Sequence, residues 1–138
     1  EAFNIPIKER ALIKKGKDFI TEEGETIENK RLTKEPSPSK KFVYCSDTAF
    51  LPKIVPDVEN ADCLFHEATF LEEETLRAKK TYHSTAKQAA TIALEGNVKK
   101  LIIGHFSSRY PSIDPIVDEA KSIFPYTIAA KDGLQICF

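Results

Sequence analysis

All three histidines of this 138-residue chain have acidic or hydroxyl-bearing neighbours and fall where an apolar run ends or a helix is about to begin. His66 lies in Phe65-His66-Glu67-Ala68-Thr69, His83 in Tyr82-His83-Ser84-Thr85, and His105 in Gly104-His105-Phe106-Ser107-Ser108-Arg109-Tyr110. Asp47, in Cys45-Ser46-Asp47-Thr48, ends a further apolar run. Strand ends in α/β proteins converge on one edge of the sheet, and that edge is where metal ligands and acid–base groups assemble. Imidazole with carboxylate suits zinc or manganese. The set reads as half of a hydrolytic metal centre.

Each residue has a plainer reading beside the chemical one. Asp47 is either the cap of a turn or a carboxylate able to bridge two metal ions about 4 Å apart. His105 follows a glycine that permits close backbone approach, and Arg109 nearby can grip a phosphate through two parallel hydrogen bonds. Glu67 at a strand end can orient His83, and a histidine held by a carboxylate is a good general acid for an alkoxide leaving group. The alternative is a pair of surface histidines without chemistry. Lys14, Lys15 and Lys17 form a basic run that is either a solvated rim or a phosphate contact.

The elements that must hold these groups alternate strand with helix from Lys41 onward. Phe42 to Cys45, Cys63 to Phe65 and Leu101 to Ile103 read as buried strands. Phe70 to Lys80 is helical by composition. Thr85 and Gln88 form a capping box, followed by an alanine-rich apolar face that Gly96 terminates. Asp114-Pro115 opens another helix running to about Phe124. Tyr126 to Ala130 and Leu134 to Phe138 read as a closing hairpin through Asp132-Gly133. Ahead of this region, residues 1–35 combine a short helical stretch from Glu9 to Lys15 with a hairpin around Glu22-Glu23-Gly24. Pro36-Ser37-Pro38-Ser39 is an extended linker into residues 36–138.

Bulk composition narrows the class. Charged residues are 30% and apolar ones 41%, ordinary for a globular chain, and a net charge of −1 supplies no general attraction to nucleic acid. Cys45, Cys63 and Cys137 include no paired motif and lie in or beside apolar runs, so buried reduced thiols are expected. No stretch approaches a membrane span and no signal peptide is visible, which favours the cytoplasm. The chain opens at Glu1 and contains no methionine, and reads as a piece of something longer.

Four segments in this order resemble the C-terminal half of ribonuclease Z, the tRNA 3′-processing endonucleases of the metallo-β-lactamase superfamily. They are Ser46-Asp47-Thr48, His66-Glu67-Ala68-Thr69, His83-Ser84-Thr85 with Gln88-Ala89-Ala90, and the run from Gly104 to Tyr110. The resemblance implies an α/β fold, half of an αββα sandwich with a protruding arm. It implies two Zn2+ ions in the complete enzyme, with Asp47 the bridging ligand and His105 the final one. Glu67 and His83 match the pair that protonates the leaving 3′ oxygen. Residues 1–33 are similar to the latter part of an arm that grips the tRNA elbow, with Pro6-Ile7-Lys8-Glu9-Arg10 where the family usually has a Gly-Pro-rich turn.

The family's His-x-His-x-Asp-His ligand cluster has no counterpart in this sequence. The expectation is therefore a chain inactive by itself, with two retained ligands that bind zinc weakly if at all. An apolar sheet face left open by the missing half predicts self-association, as does the family's dimeric state. Precursor tRNA is the implied partner. Two rivals stand beside this reading: another metallo-β-lactamase-type hydrolase acting on esters or sulfates, and a non-catalytic module that binds RNA or a partner chain.

Overall fold

Proline and glycine punctuate the first forty residues. The computed structural model describes residues 5–137, and backbone packing divides the chain into two units, Glu1–Pro38 and Ser39–Phe138. In the first, Pro6 precedes helix α1 (Ile7–Ile13), which starts two residues earlier than its apolar spacing suggests. Strands β1 (Phe19–Ile20) and β2 (Thr26–Ile27) pair antiparallel, with Phe19 opposite Ile27. Gly24, at φ 85°, donates its N–H to the Thr21 carbonyl at 3.0 Å and closes the expected hairpin. The single-turn helix α2 (Asn29–Leu32) is too short for periodicity to announce. Asn29 accounts for it: its backbone N–H donates to Asp18 Oδ1 at 2.7 Å, and its side-chain amide donates to the Ile13 and Lys17 carbonyls at 2.6 and 2.9 Å. Only Ile13 and Ile27 are buried apolar side chains among the described residues of this unit, so these polar ties carry much of its definition.

The second unit is built on a parallel sheet. Its strands are β3 (Phe42–Cys45), β4 (Cys63–Glu67), β5 (Leu101–Gly104) and β6 (Thr127–Ala129), in the order β3-β4-β5-β6. Between them come a 3-10 turn at Pro52–Ile54 with α3 (Val55–Val58), then a second 3-10 turn at Glu72–Glu74 with α4 (Thr75–Thr81) and α5 (Ala86–Glu95), and finally α6 (Asp114–Ile123). Right-handed crossovers between strands that advance in one direction put every crossover on the same face. Val58 of α3, the alanine face of α5, and Ile116 and Ala120 of α6 accordingly pack with Leu64, Leu101 and Ile103 of the sheet. On the opposite face Tyr44, Phe65, Ile102 and Ile128 stand in one register row across the four strands. Tyr44 and Phe65 stack at 4.5 Å, and Tyr44 remains mostly exposed.

Three expectations need correction. The helix expected over Phe70 to Lys80 begins only at Thr75, because Phe70 is buried in a parallel bridge to Thr85 and its carbonyl accepts the Ala86 N–H at 2.8 Å. No closing hairpin forms among the described residues. The Lys131–Leu134 turn is present, but β6 pairs parallel with β5, which satisfies its backbone on that side, and residues 134–137 form no strand. Phe138 lies outside the described residues. Of the cysteines, Cys63 is buried, Cys45 is half-buried, and Cys137 is exposed rather than buried. No helix of the described residues is long and apolar enough to cross a membrane.

Asp62 locks the start of the sheet. Its Oδ2 accepts the Lys41 N–H at 2.8 Å and its Oδ1 pairs with Lys99 Nζ at 2.8 Å. The hydrogen bond from Lys99, then that from the Lys41 backbone, hold its carboxyl at about 2. A carboxyl whose folded value lies below its unfolded value of about 4 stabilises the fold above that value and loses the contribution as pH falls. Thermal denaturation from pH 5 to pH 2 should therefore show Asp62→Asn well below the parent at the upper end, with the gap closing towards pH 2. A gap that stays constant with pH would overturn the assignment.

Candidate metal and acid–base site

Register alone brings the candidate groups to one edge. Cys45 pairs with His66, His66 with Ile103, and Glu67 with Gly104, so β3, β4 and β5 end level. Two residues past Cys45 comes Asp47, and one past Gly104 comes His105. Both adopt left-handed backbone, at φ 49° and 61°, a conformation that Asp and His tolerate better than most residues. His105 Nε2 lies 3.2 Å from Asp47 Oδ1.

His83 arrives from the helix side. The bridge from Phe70 to Thr85 and the first turn of α5 fix its loop. Thr85 Oγ1 accepts the Gln88 N–H at 3.2 Å, and Gln88 Oε1 accepts the Thr85 N–H at 3.0 Å, the reciprocal capping box that the spacing predicts. The same hydroxyl donates to Glu72 Oε2 at 2.7 Å. Thr85→Ala should cost about 1–2 kcal/mol, the upper part of the range for a lost cap, because Glu72 also loses its donor. A melting temperature indistinguishable from the parent would refute that.

Glu67 organises the site. It is fully buried and all four of its contacts are acceptances: Thr48 N–H at 3.1 Å and His83 Nδ1–H at 2.8 Å on Oε1, Thr69 N–H at 3.1 Å and Thr69 Oγ1–H at 2.6 Å on Oε2. Because the Thr69 hydroxyl gives its only proton to Glu67, it can only accept from His105 Nδ1, 2.8 Å away. One carboxylate thus fixes Nδ1–H on His83 directly and on His105 through Thr69, and turns Nε2 of each ring away from Glu67, that of His105 towards Asp47 Oδ1. The rings of the two histidines lie 5.0 Å apart between centroids, and Phe70 meets His83 edge-on at 6.2 Å.

Asp47, His83 and His105 each offer one donor atom, and these atoms all lie within 4.8 Å of one another. Two imidazoles and a carboxylate are a fitting donor set for zinc. Asp47 and His105, the two ligands that the sequence motifs imply, lie together, and His83 joins their neighbourhood. His66 does not join them. Its ring is buried on the helix face, Nδ1 donates to the Glu67 carbonyl at 2.7 Å, and Nε2 has no partner. Burial pushes its imidazole below the ordinary value, against the pull of the Glu67 carbonyl and carboxylate.

Arg109 is exposed in the turn after His105, with its N–H donating to Ser107 Oγ at 3.4 Å, and takes no part in the Glu67 network. Lys14, Lys15 and Lys17 are exposed at the end of α1 in the first unit. Three further contributors are given no role by the sequence motifs: Thr69, Thr48, and buried Ser84, whose hydroxyl donates to the Thr48 carbonyl at 2.7 Å and ties down the Asp47 loop. For Thr69 the signal was a hydroxyl two residues beyond a strand-end glutamate.

A family model described as a beta-lactamase superfamily domain matches residues 25–106, more than half of the chain. The chain belongs to the beta-lactamase superfamily. Within that superfamily its curated relatives include ribonuclease Z of Bacteroides fragilis, 52% identical over 97% of this chain and 44% of the relative. The ribonuclease Z of Porphyromonas gingivalis is 48% identical over 99% of this chain and 45% of the relative. This superfamily chain therefore spans less than half the length of the curated relatives it matches. Among solved structures, the metallo-beta-lactamase fold protein YhfI from Bacillus subtilis is 28% identical with a TM-score of 0.62, covering 67% of this chain and 38% of its own. A long form RNase Z from yeast is 30% identical with a TM-score of 0.57, covering 65% of this chain and 12% of its own. These likenesses bear out the resemblance to ribonuclease Z, and the parallel-sheet α/β architecture is that of part of a metallo-β-lactamase domain.

Proposed function

We propose that this chain carries the leaving-group acid and part of the metal site of a zinc-dependent endonuclease that trims the 3′ ends of precursor tRNA. The observation that supports it most is the 2.8 Å hydrogen bond from His83 to fully buried Glu67, beside Asp47 and His105, in a chain about half identical to ribonuclease Z. A divalent ion held by Asp47 and His105 would place positive charge at the scissile phosphate and lower the pKa of water there. His83, with Nδ1–H fixed by Glu67, presents Nε2 to the departing oxygen. As the phosphorus–oxygen bond breaks, the ring, carrying a second proton on Nε2, gives that proton to the 3′ oxygen, and water supplies the oxygen that stays on phosphorus. Positioned general acids of this kind contribute about 10²–10⁴-fold in rate.

In this reading the cut falls just after the discriminator base. Arg109 contacts backbone phosphate, and Lys14, Lys15 and Lys17 grip the tRNA body. The working enzyme is a cytoplasmic homodimer with two zinc ions, and this chain alone is inactive, having no counterpart of the His-x-His-x-Asp-His cluster. An ester- or sulfate-cleaving hydrolase would have use for Asp47 and His105 but not for the Glu67–His83 pair.

The test has two arms. Precursor tRNA binding by this chain should fall with salt and weaken when Lys14, Lys15 and Lys17 are changed to Ala; binding without salt dependence would overturn the RNA reading. Robust cleavage by this chain alone, with or without added zinc, would overturn its assignment as a partial site.

A further inference from the structure

Beside His83 the second unit has an open cleft of about 570 Å³ lined by Ala49, Phe50, Thr75, Lys79, Tyr82 and Gln88 together with His83 itself. That volume is in the range of small-ligand sites. The Glu67 network uses only His83 among these residues, and through the Nδ1 atom alone.

Tyr82 is the unusual member. It ends α4 at φ 59°, ψ 38°, where the His83 N–H donates to the Ala78 carbonyl at 2.8 Å. Helix ends of this kind normally place glycine at the left-handed position, since any Cβ is strained there, and a bulky side chain is a genuine outlier. Tyr82 is also 76% exposed, so burial does not compensate the strain. Backbone strain that packing does not explain tends to sit at functional sites. Phe50, which also lines the cleft, is 37% exposed, and Lys79 offers a cation from the last turn of α4.

Two accessible aromatic rings, one lysine and a proton-donating histidine suit a nucleotide: the base stacks on the rings and its phosphate meets the cation. We propose that Phe50 and Tyr82 form a stacking site for the nucleobase flanking the scissile phosphate, with Lys79 on the adjoining phosphate. This rests on the nuclease reading above. It adds a means of holding the strand so that the departing oxygen meets His83 Nε2. Stacking accepts any base, so the site sets position rather than sequence.

The test uses this chain and a short single-stranded oligoribonucleotide carrying 2-aminopurine, read by fluorescence and by anisotropy. Binding should quench the 2-aminopurine. Tyr82→Gly and Phe50→Ala should each weaken binding roughly tenfold and relieve the quench. Tyr82→Phe should keep both affinity and quench, whereas Lys79→Ala should lower affinity and flatten the salt dependence without relieving the quench. Tyr82→Gly should also raise the melting temperature, because glycine removes the left-handed strain. A purely structural tyrosine would lose stability instead.

If the oligonucleotide binds with salt dependence but Tyr82→Gly alters neither quench nor affinity, the stacking site is refuted and the nuclease reading stands. If it does not bind while precursor tRNA still binds with salt dependence, the stacking site falls and the nuclease reading stands; if neither binds, both fall.

Discussion

Glu67→Ala is expected to lower stability by about 3–5 kcal/mol, the range for removing one member of a buried charged network. The substitution leaves the Thr48 N–H, the Thr69 N–H and hydroxyl, and the His83 Nδ1–H without their acceptor. Buried donors left unsatisfied cost about 1–3 kcal/mol each, and His83 and the rotating hydroxyl recover part of that from water. For a unit of this size a loss of that order lowers the melting temperature by well over about 10 °C. The variant should also disturb His105, which Glu67 never touches. With no acceptor at Oε2, the Thr69 hydroxyl is free to turn and donate to His105 Nδ1, which moves the ring proton to Nε2 and reverses the tautomer. Nitrogen chemical shifts of the two imidazoles report this directly. A His105 tautomer unchanged in Glu67→Ala would sink the relay, even with the stability loss intact.

Much of this site was legible because two independent signals agreed. Short apolar runs placed β3, β4 and β5, and each run ended on a polar residue, so level strand ends sufficed to bring Asp47, Glu67 and His105 to one edge. The Thr85–Gln88 capping box fixed the start of α5 and hence the loop that carries His83. His66 escaped because consecutive strand residues face opposite sides of the sheet, so His66 and Glu67 cannot serve the same surface. Its register partners Cys45 and Ile103 belong to the helix face, and that is where its ring is buried. Thr69 was hidden for a different reason. Its bonds to Glu67 are local, but its link to His105 depends on a ring 36 residues further along, a tertiary contact that no local pattern encodes. Strand β6 was misread because three residues give too little alternation to separate a parallel neighbour from a hairpin arm, and Asp132-Gly133 supplied a persuasive turn.

The donor geometry also revises what the isolated chain should do with zinc. Asp47 and His105 alone make a poor site, but His83 puts a third donor within 4.8 Å, matching the three protein ligands plus one open position typical of catalytic zinc. Added Zn2+ should therefore raise the melting temperature, by an amount equivalent to about 2.7 kcal/mol at a hundredfold excess over Kd. Asp47→Ala and His105→Ala should abolish the rise, and Thr69→Val, which frees the His105 ring from its hydroxyl, should weaken binding by about 10–100-fold. His83→Ala is the informative member of the series. A histidine whose Nε2 lone pair holds a metal cannot deliver a proton from the same atom, so ligand and acid are exclusive roles. With only three donors at hand the ion should recruit His83, and His83→Ala should weaken binding as much as His105→Ala does. In the proposed endonuclease, where other ligands would complete the coordination, His83 would be released to act as the acid, and the same substitution should reduce cleavage while leaving metal content unchanged. Zinc affinity of this chain indifferent to His83 would show that the imidazole stays with Glu67 alone, and the three-donor site would be withdrawn.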